Sequence, residues 1–272
     1  MYEGREVFAY APLALVTAEI RLGYEPALRN QTTLEAIGGA VRTGLPLLES
    51  GATANFSFEA PSGTVATSES MPFLRAFNRA RTVSAAVSVQ SLTVSATEYR
   101  DFEDFLSVIL TCLEALRERV PDASVTRVGL RYIDEVRAPV EVKSSDQWSE
   151  WISDQLLAPT GLVSSEAVEG ISGSLVYHRP DESRVHFRWG EAYGGSVLDD
   201  SSLSLRRLAD FPRESRFFVL DVDSFWEPSQ AQPLEVSALV SRLGELHTPA
   251  GLIFAAAITD KGRQMFRGEI DG

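Results

Sequence analysis

Basic side chains alternate along one predicted strand and are the residues best suited to hold an anion. They occupy every second position of a short run, as Arg184, His186 and Arg188. Successive side chains of a strand point to opposite faces, so these three lie together on one face. Guanidinium groups donate paired hydrogen bonds that match a carboxylate or a phosphate. The stripe can therefore hold either group, or the backbone of an RNA.

Two other predicted strands carry a similar alternation. Glu19 and Arg21 point together on a strand near the N-terminus, and Arg127 and Arg131 do so on a strand in the middle of the chain. If these strands adjoin, their side chains build one polar sheet face with a cationic patch. The sequence does not say whether they adjoin.

This polar face has two interpretations. It is either a binding site or a solvated surface on which arginines pair across strands with Glu19, Asp134 or Glu135. The aromatic residues beside Arg184 fall on the opposite face from the arginines, which argues against a base-stacking platform for RNA. With both interpretations open, the candidate binding residues are Glu19, Arg21, Arg127, Arg131, Asp134, Arg184, His186 and Arg188.

Motifs that would identify an enzyme are absent from the sequence. There is no phosphate-binding glycine loop and no Cys-x-x-Cys or His-x-x-x-His pair, and the run 170–173 misses the serine-nucleophile pattern by one position. His178 and His186 flank a predicted turn and, with Asp221 and Asp223, form a conceivable metal site; surface histidines beside an acidic pair are the alternative. We predict no catalytic residue, no metal and no cofactor.

Three tryptophans are candidates for anchoring a protein partner. Trp148 and Trp151 lie in a short predicted helix, and Trp226 follows a predicted strand. Exposed tryptophans dominate binding hot spots, whereas tryptophans at the edge of a core only cover it. The sequence leaves both interpretations open for all three.

Composition predicts a globular, cytoplasmic protein. Of the 272 residues 44% are hydrophobic, enough for a sizeable core, and the net charge of −13 repels nucleic-acid backbones and anionic membranes. The single cysteine, Cys112, excludes an internal disulfide. A free thiol, together with an N-terminus that lacks a signal-peptide pattern, is typical of the reducing cytosol. No apolar run is long enough to cross a bilayer, so no membrane is expected.

Hydrophobic periodicity predicts an α+β fold. Alternating residues indicate strands over 12–22 and 124–136. The clearest helix covers 101–119, where apolar residues recur every three or four positions and acidic residues fill the first turn. The stretch 251–259 is a strand or a helix that periodicity alone cannot separate.

The chain also predicts two similar halves. The strands over 92–99 and 218–225 each end in an aromatic residue, and each is followed by a helix and a further apolar segment at nearly the same spacing. We therefore expect a split β-α-β, ferredoxin-like unit used twice, in which each half is a mostly antiparallel sheet with helices packed on one face. The predicted halves are 1–138 and 139–272, packed as one unit.

Several runs of the sequence carry a family resemblance that covers nearly the whole chain. The runs 12–22, 87–94, 99–105, 129–134 and 254–260 resemble a sporadically distributed, uncharacterised family of prokaryotic proteins of about this length. Asp134 departs from the family, which more often carries Asn there. The patchy distribution of such families implies horizontally moved genes, with defence systems and toxin–antitoxin modules as typical homes. The resemblance supplies no catalytic residue.

Together these observations favour a non-catalytic binding or regulatory protein that holds a protein partner. The resemblance implies that the partner is encoded by a neighbouring gene of a mobile defence or toxin–antitoxin-like module. One alternative is an RNA-binding or RNA-processing protein that uses Arg131, Arg184 and His186. Another is a sensor of a small anionic ligand.

Overall fold

The computed structural model describes residues 6–59, 65–162, 168–198, 204–207 and 215–270. The strands in this part of the chain are β1 (Leu13–Leu22), β2 (Leu47–Glu59), β3 (Val65–Phe77), β4 (Val83–Ser88), β5 (Ser91–Ala96), β6 (Ser124–Val136), β7 (Ser172–His178), β8 (Arg184–Tyr193), β9 (Arg216–Trp226) and β10 (Gln232–Pro233). The helices are α1 (Gln31–Val41), α2 (Phe102–Arg119), α3 (Asp154–Leu157), α4 (Val236–Ala257) and α5 (Asp260–Arg267). Short 3-10 turns lie at Pro26–Arg29, Ser145–Glu150 and Ala158–Gly161.

These strands form one sheet in the order β2-β3-β4-β5-β1-β6-β9-β8-β7, with β10 paired to β6 beside this path. Every neighbouring pair is antiparallel. The predicted α+β fold with a mostly antiparallel sheet is therefore confirmed. Of the three polar strands named from the sequence, β1 and β6 are neighbours, whereas β9 lies between β6 and β8.

A split β-α-β connection lies at the centre of the sheet. β5 and β6 pair antiparallel with opposite sides of β1, so they run parallel to each other. The connection between them is α2, which starts as predicted: the Asp101 side chain accepts a hydrogen bond of 2.8 Å from the Asp104 amide. Its apolar stripe, including Phe105 and Ile109, is buried in the core.

The two faces of the sheet differ because side chains alternate along each strand. On β1 and β6, the even-numbered residues from Val16 and Val128 onward join α1, α2 and α4 in the main core. The odd-numbered residues point to the other face, hereafter the open face, which carries the charged side chains. One end of the open face is closed by a small apolar cluster that includes Leu15, Ile133 and Leu205.

Two details of the sequence prediction needed the structure. The ambiguous stretch 251–259 is helical through Ala257, since α4 continues past Pro249. The predicted halves do not form separate sheets: β6, from the first half, pairs with β9 from the second, and one core contains residues of both.

Cys112 lies on the buried side of α2. Burial raises the pKa of its thiol to about 12. Among the described helices, none combines the length and the apolar character needed to cross a bilayer.

Candidate functional site

The open face centres on the carboxylate of Asp221 in β9, which two arginines hold from neighbouring strands. Arg131 of β6 places Nε and Nη2 at 2.7 and 2.8 Å from the two carboxylate oxygens, and Arg188 of β8 places Nε at 2.8 Å. The side chain of Asp221 is only 10% exposed, while those of Arg131 and Arg188 are 43% and 41% exposed. Hydrogen bonding to Asp221 outweighs partial burial and raises the pKa of the Arg131 guanidinium.

A second arginine cluster lies further along β6. Arg127 is 2.7 Å from Glu19 of β1, 3.3 Å from Asp223 of β9 and 3.6 Å from Glu227. Its guanidinium lies across Gly129, where an added Cβ would come within 2.3 Å of Nη1. Glycine at this position thus leaves the space in which Arg127 reaches two neighbouring strands.

The structure therefore assembles most of the predicted polar residues on one face, largely as ion pairs. Arg21 is exposed and pairs with Glu19 at 3.1 Å. His186 lies opposite Asp223, and Arg184 is exposed at the end of β8 near His178. Cross-strand pairing, one of the two interpretations of the sequence, describes Arg127, Arg131 and Arg188. These residues, with Glu19, Asp221 and Asp223, are hereafter the ion-pair array.

Asp134 does not join this array. Asp134 is an even-numbered residue of β6, and the even-numbered side chains of this strand point to the core. Arg131 is odd-numbered and points to the open face. Asp221, which the sequence offered only as a metal ligand, takes the role of arginine partner.

Glu135 is on the open face but pairs away from the ion-pair array. It accepts hydrogen bonds from Arg137 at 2.8 Å, from Arg207 at 2.9 Å, and from the Val197 amide at 3.0 Å. Burial alone would raise the pKa of this carboxyl, but the hydrogen bonds, of which that from the Ser196 hydroxyl contributes most, outweigh it and lower the pKa. The Glu135 cluster ties residues 195–197 and Arg207 onto the end of the open face.

The three tryptophans predicted as partner anchors differ in their exposure. Trp148 and Trp151 are buried, and both belong to the main core, so their interpretation as exposed anchors is wrong in this conformation. The 3-10 turn at Ser145–Glu150 carries Trp148 into the core, where its ring centroid lies 5.5 Å from that of Phe218 in β9. Trp226 is half-buried, and the Arg242 guanidinium lies 4.6 Å from its ring centroid.

The conceivable metal site does not form in the described residues. There, no three His, Cys, Asp or Glu side chains come close enough together to hold a metal ion. His178 and His186 do share the open face of the β7–β8 hairpin, but Asp221 and Asp223 are engaged by arginines.

The edge strand β7 carries exposed apolar residues that sequence reasoning missed. Leu175, Val176 and Tyr177 are 46%, 53% and 44% exposed. Within the described chain β7 pairs only with β8, so its other edge is open. The strand contains no Lys, Arg, Asp, Glu or Pro. Its lack of charge is visible in the sequence, but its position at the edge is not.

Comparison of the chain with protein-family models, with curated proteins and with solved structures found no match.

Proposed function

We propose that this is a non-catalytic protein that binds an extended segment of a protein partner along β7. The carrying observation is an uncharged sheet edge that has no neighbour among the described residues and exposes three consecutive large apolar side chains, Leu175 to Tyr177. Natural edge strands are usually protected by lysine, proline or a bulge, because free N–H and C=O groups recruit another strand. β7 has neither residue type, and strand addition supplies the main-chain hydrogen bonds of such a complex.

The register of the β7–β8 hairpin indicates the chemistry of the partner segment. Leu175 and Tyr177 lie opposite Phe187 and Val185, so they extend the apolar core face to the edge of the sheet. On the other face the neighbouring strand β8 presents basic residues, among them the exposed Arg184. A partner strand with apolar side chains beside Leu175 and Tyr177, and with an acidic side chain within reach of Arg184, complements both faces.

The ion-pair array has a structural role in this proposal. Its arginines are engaged by carboxylates that bridge β6, β9 and β8, and this holds β8, and through it β7, in place beside the centre of the sheet. A partner encoded by a neighbouring gene, in a mobile defence or toxin–antitoxin-like module, is the source that the family resemblance implies, and it is the first partner to test.

The test is a binding measurement with the purified product of the adjacent gene. Leu175→Lys combined with Tyr177→Lys places two charges on the edge, and we expect at least a tenfold loss of affinity with an unchanged unfolding midpoint. Leu252→Lys, at an equally exposed position of α4, is the matched control and should bind like the wild type. Undiminished binding by the double variant would contradict the proposal.

The same preparations test the alternatives. A wild-type sample whose ratio of absorbance at 260 and 280 nm falls on nuclease treatment, while the double variant behaves identically, would favour RNA binding elsewhere on the protein. Concentration-dependent dimers of the chain alone, lost in the double variant, would mean that a second copy occupies β7 instead of a different protein.

We also infer that the two halves are an internal duplication running from β1 to α2 and from β6 to α4. Each half starts with a central strand, passes through helical turns, and then makes an antiparallel meander before a long helix; the meander has four strands, β2 to β5, in the first half and three, β7 to β9, in the second. The last meander strand pairs with the central strand of its own half, β5 with β1 and β9 with β6. Apart from the additional outermost strand β2, the order β3-β4-β5-β1-β6-β9-β8-β7 is symmetric about its middle, which supports a boundary between Arg119 and Ser124 instead of 138.

A further inference from the structure

A cavity of about 140 Å³ lies on the core side of the sheet, away from the ion-pair array. Its walls come from the N-terminal segment, the start of α2, β6, α4 and α5, and they are mostly apolar, as contributed by Phe8, Leu13, Val222, Ala250 and Phe254. Its volume is close to the ~150 Å³ of engineered cavities that take up benzene. The space therefore suits one small organic molecule.

A carboxyl group is buried in the wall of this cavity. Asp134 is only 6% exposed, and its side chain has no hydrogen bond or ion pair with any part of the chain that the structure describes. Burial raises the pKa of Asp134 to about 8, and the nearby charge of Asp221 across the sheet adds to the shift. A buried carboxylate without a partner is costly, so a cation beside it would be stabilised.

Aromatic side chains hold the rest of the wall in place. Tyr99 and Tyr132 meet edge to face with centroids 6.0 Å apart. The Tyr132 hydroxyl is 2.9 Å from Nδ1 of His247, whose ring stacks on Phe102 at 4.2 Å. The ring faces and edges of this wall are thus fixed around the cavity, as in sites that recognise ammonium groups.

The charged groups at the mouth are engaged with one another. Arg100 lies 3.2 Å from Asp101, and Arg263 lies 3.5 Å from Asp260. Glu6 accepts hydrogen bonds from Arg267, which lower its pKa. Among the described residues of the site, these pairs leave the Asp134 carboxyl as the group without a charged partner.

We propose that this cavity binds a small organic amine, with its ammonium group on the Asp134 carboxylate and its hydrocarbon part among the aromatic side chains. Once Asp134 is ionised, an anion would be repelled by the carboxylate, and a neutral molecule would leave its charge uncompensated. The net charge of −13 further favours cations near the protein. This site is independent of the partner surface on β7, which lies at the edge of the sheet.

Proton linkage distinguishes an amine from a neutral ligand. In the empty protein Asp134 is largely protonated below pH 8, so an ammonium must displace a proton there. Its affinity should rise by up to about tenfold per pH unit towards pH 8 and level off above it. A neutral ligand that hydrogen bonds to the protonated carboxyl would show the opposite trend and weaken above pH 8.

The experiment is calorimetric titration of the full chain with benzylamine, and with benzyl alcohol and benzoate as neutral and anionic matches, between pH 6 and 9. We expect benzylamine to bind, with the rising pH profile, and at pH 8 and above we expect the other two to bind at least tenfold more weakly. Asp134→Asn should abolish the preference for benzylamine, whereas Asp122→Asn, at an exposed position beyond the end of α2, should not. Ala250→Phe should block binding by filling the cavity.

Three outcomes would overturn the proposal. They are the absence of benzylamine binding at every pH, equal or tighter binding of benzyl alcohol at pH 8 and above, and an affinity for benzylamine that falls between pH 6 and 8. The pH profile of the wild type decides without any variant, so the test holds even if a substitution impairs folding. A loss of partner binding on β7 would leave the amine result unaffected, and the reverse also holds.

Discussion

Arg131 donates two hydrogen bonds to Asp221, 2.7 Å from Nε to one carboxylate oxygen and 2.8 Å from Nη2 to the other. The pair joins β6 to β9, the two strands that bring the first and second parts of the chain into one sheet. Arg188 binds the same carboxylate from β8. One nearly buried acid therefore fastens three consecutive strands, and its loss leaves two guanidinium groups facing each other.

We expect Asp221→Asn to lower the free energy of unfolding by about 1–3 kcal/mol, because a carboxylate that compensates two partly buried cations is removed. The loss of unfolding free energy stays modest because both arginines are about two-fifths exposed and water screens their charges. Urea denaturation measures the change. Asp122→Asn, at an exposed position, is the control and should leave the midpoint in place. Equal midpoints for both variants would show that the array adds nothing to stability.

Glu135 should make the protein sensitive to acid. Its pKa is lowered in the folded state, so the stability that it contributes is present above the unfolded value near 4.5 and is lost as the pH falls through the lower folded value. Glu135→Gln should cost about 1–3 kcal/mol at pH 7 and flatten the decline between pH 5 and 3. Unfolding free energies over that range test this, with exposed Glu114→Gln as control. A variant that keeps the wild-type acid profile would contradict it.

Asp134, the residue before Glu135, should change the pH dependence of stability in the opposite direction. Its pKa rises from 3.8 to about 8 on folding, so the folded state binds the extra proton and stability declines as the pH rises through this range. Asp134→Asn removes that decline, and we expect the variant to be more stable than the wild type at pH 8 by about 1–3 kcal/mol. Thermal unfolding at pH 5 and pH 8 measures it. A wild-type protein that gains stability between these pH values, once Glu135 is accounted for, would rule this out.

Alanine substitutions at two separate glycines test the packing beside the edge strand β7. A Cβ at Gly173 of β7 would come within 2.3 Å of the Trp189 ring, which is held by a 3.2 Å hydrogen bond to the Leu156 carbonyl. Gly173→Ala should therefore destabilise the protein by about 1–3 kcal/mol. At Gly39 of α1 nothing lies within 4 Å, and Gly39→Ala should stabilise it by up to about 1 kcal/mol. The same sign for both variants would refute the packing at Trp189.

The spacing of apolar residues along the sequence was sufficient to predict some elements of secondary structure and not others. The three- and four-residue recurrence in 101–119 predicted α2 and its buried face, since the helical period is a property of the backbone. At 251–257 small and apolar residues suit either period, and packing against β6 and β9 accompanies the helix that the structure shows. The sequence around Trp148 and Trp151 is likewise compatible with a surface or a core position, and only the folded chain shows that both are buried.

The sequence by itself determined which side chains share a face. Alternation placed Arg127 and Arg131 together, and Arg184 with Arg188, because the pleat of a strand has a period of two whatever its neighbours. Only the tertiary structure decided which acid meets each arginine, that Asp134 ends in a cavity, and that β7 lies at the edge. Those facts depend on strand order, and strand order is set by contacts between residues far apart in the chain, which local periodicity does not encode.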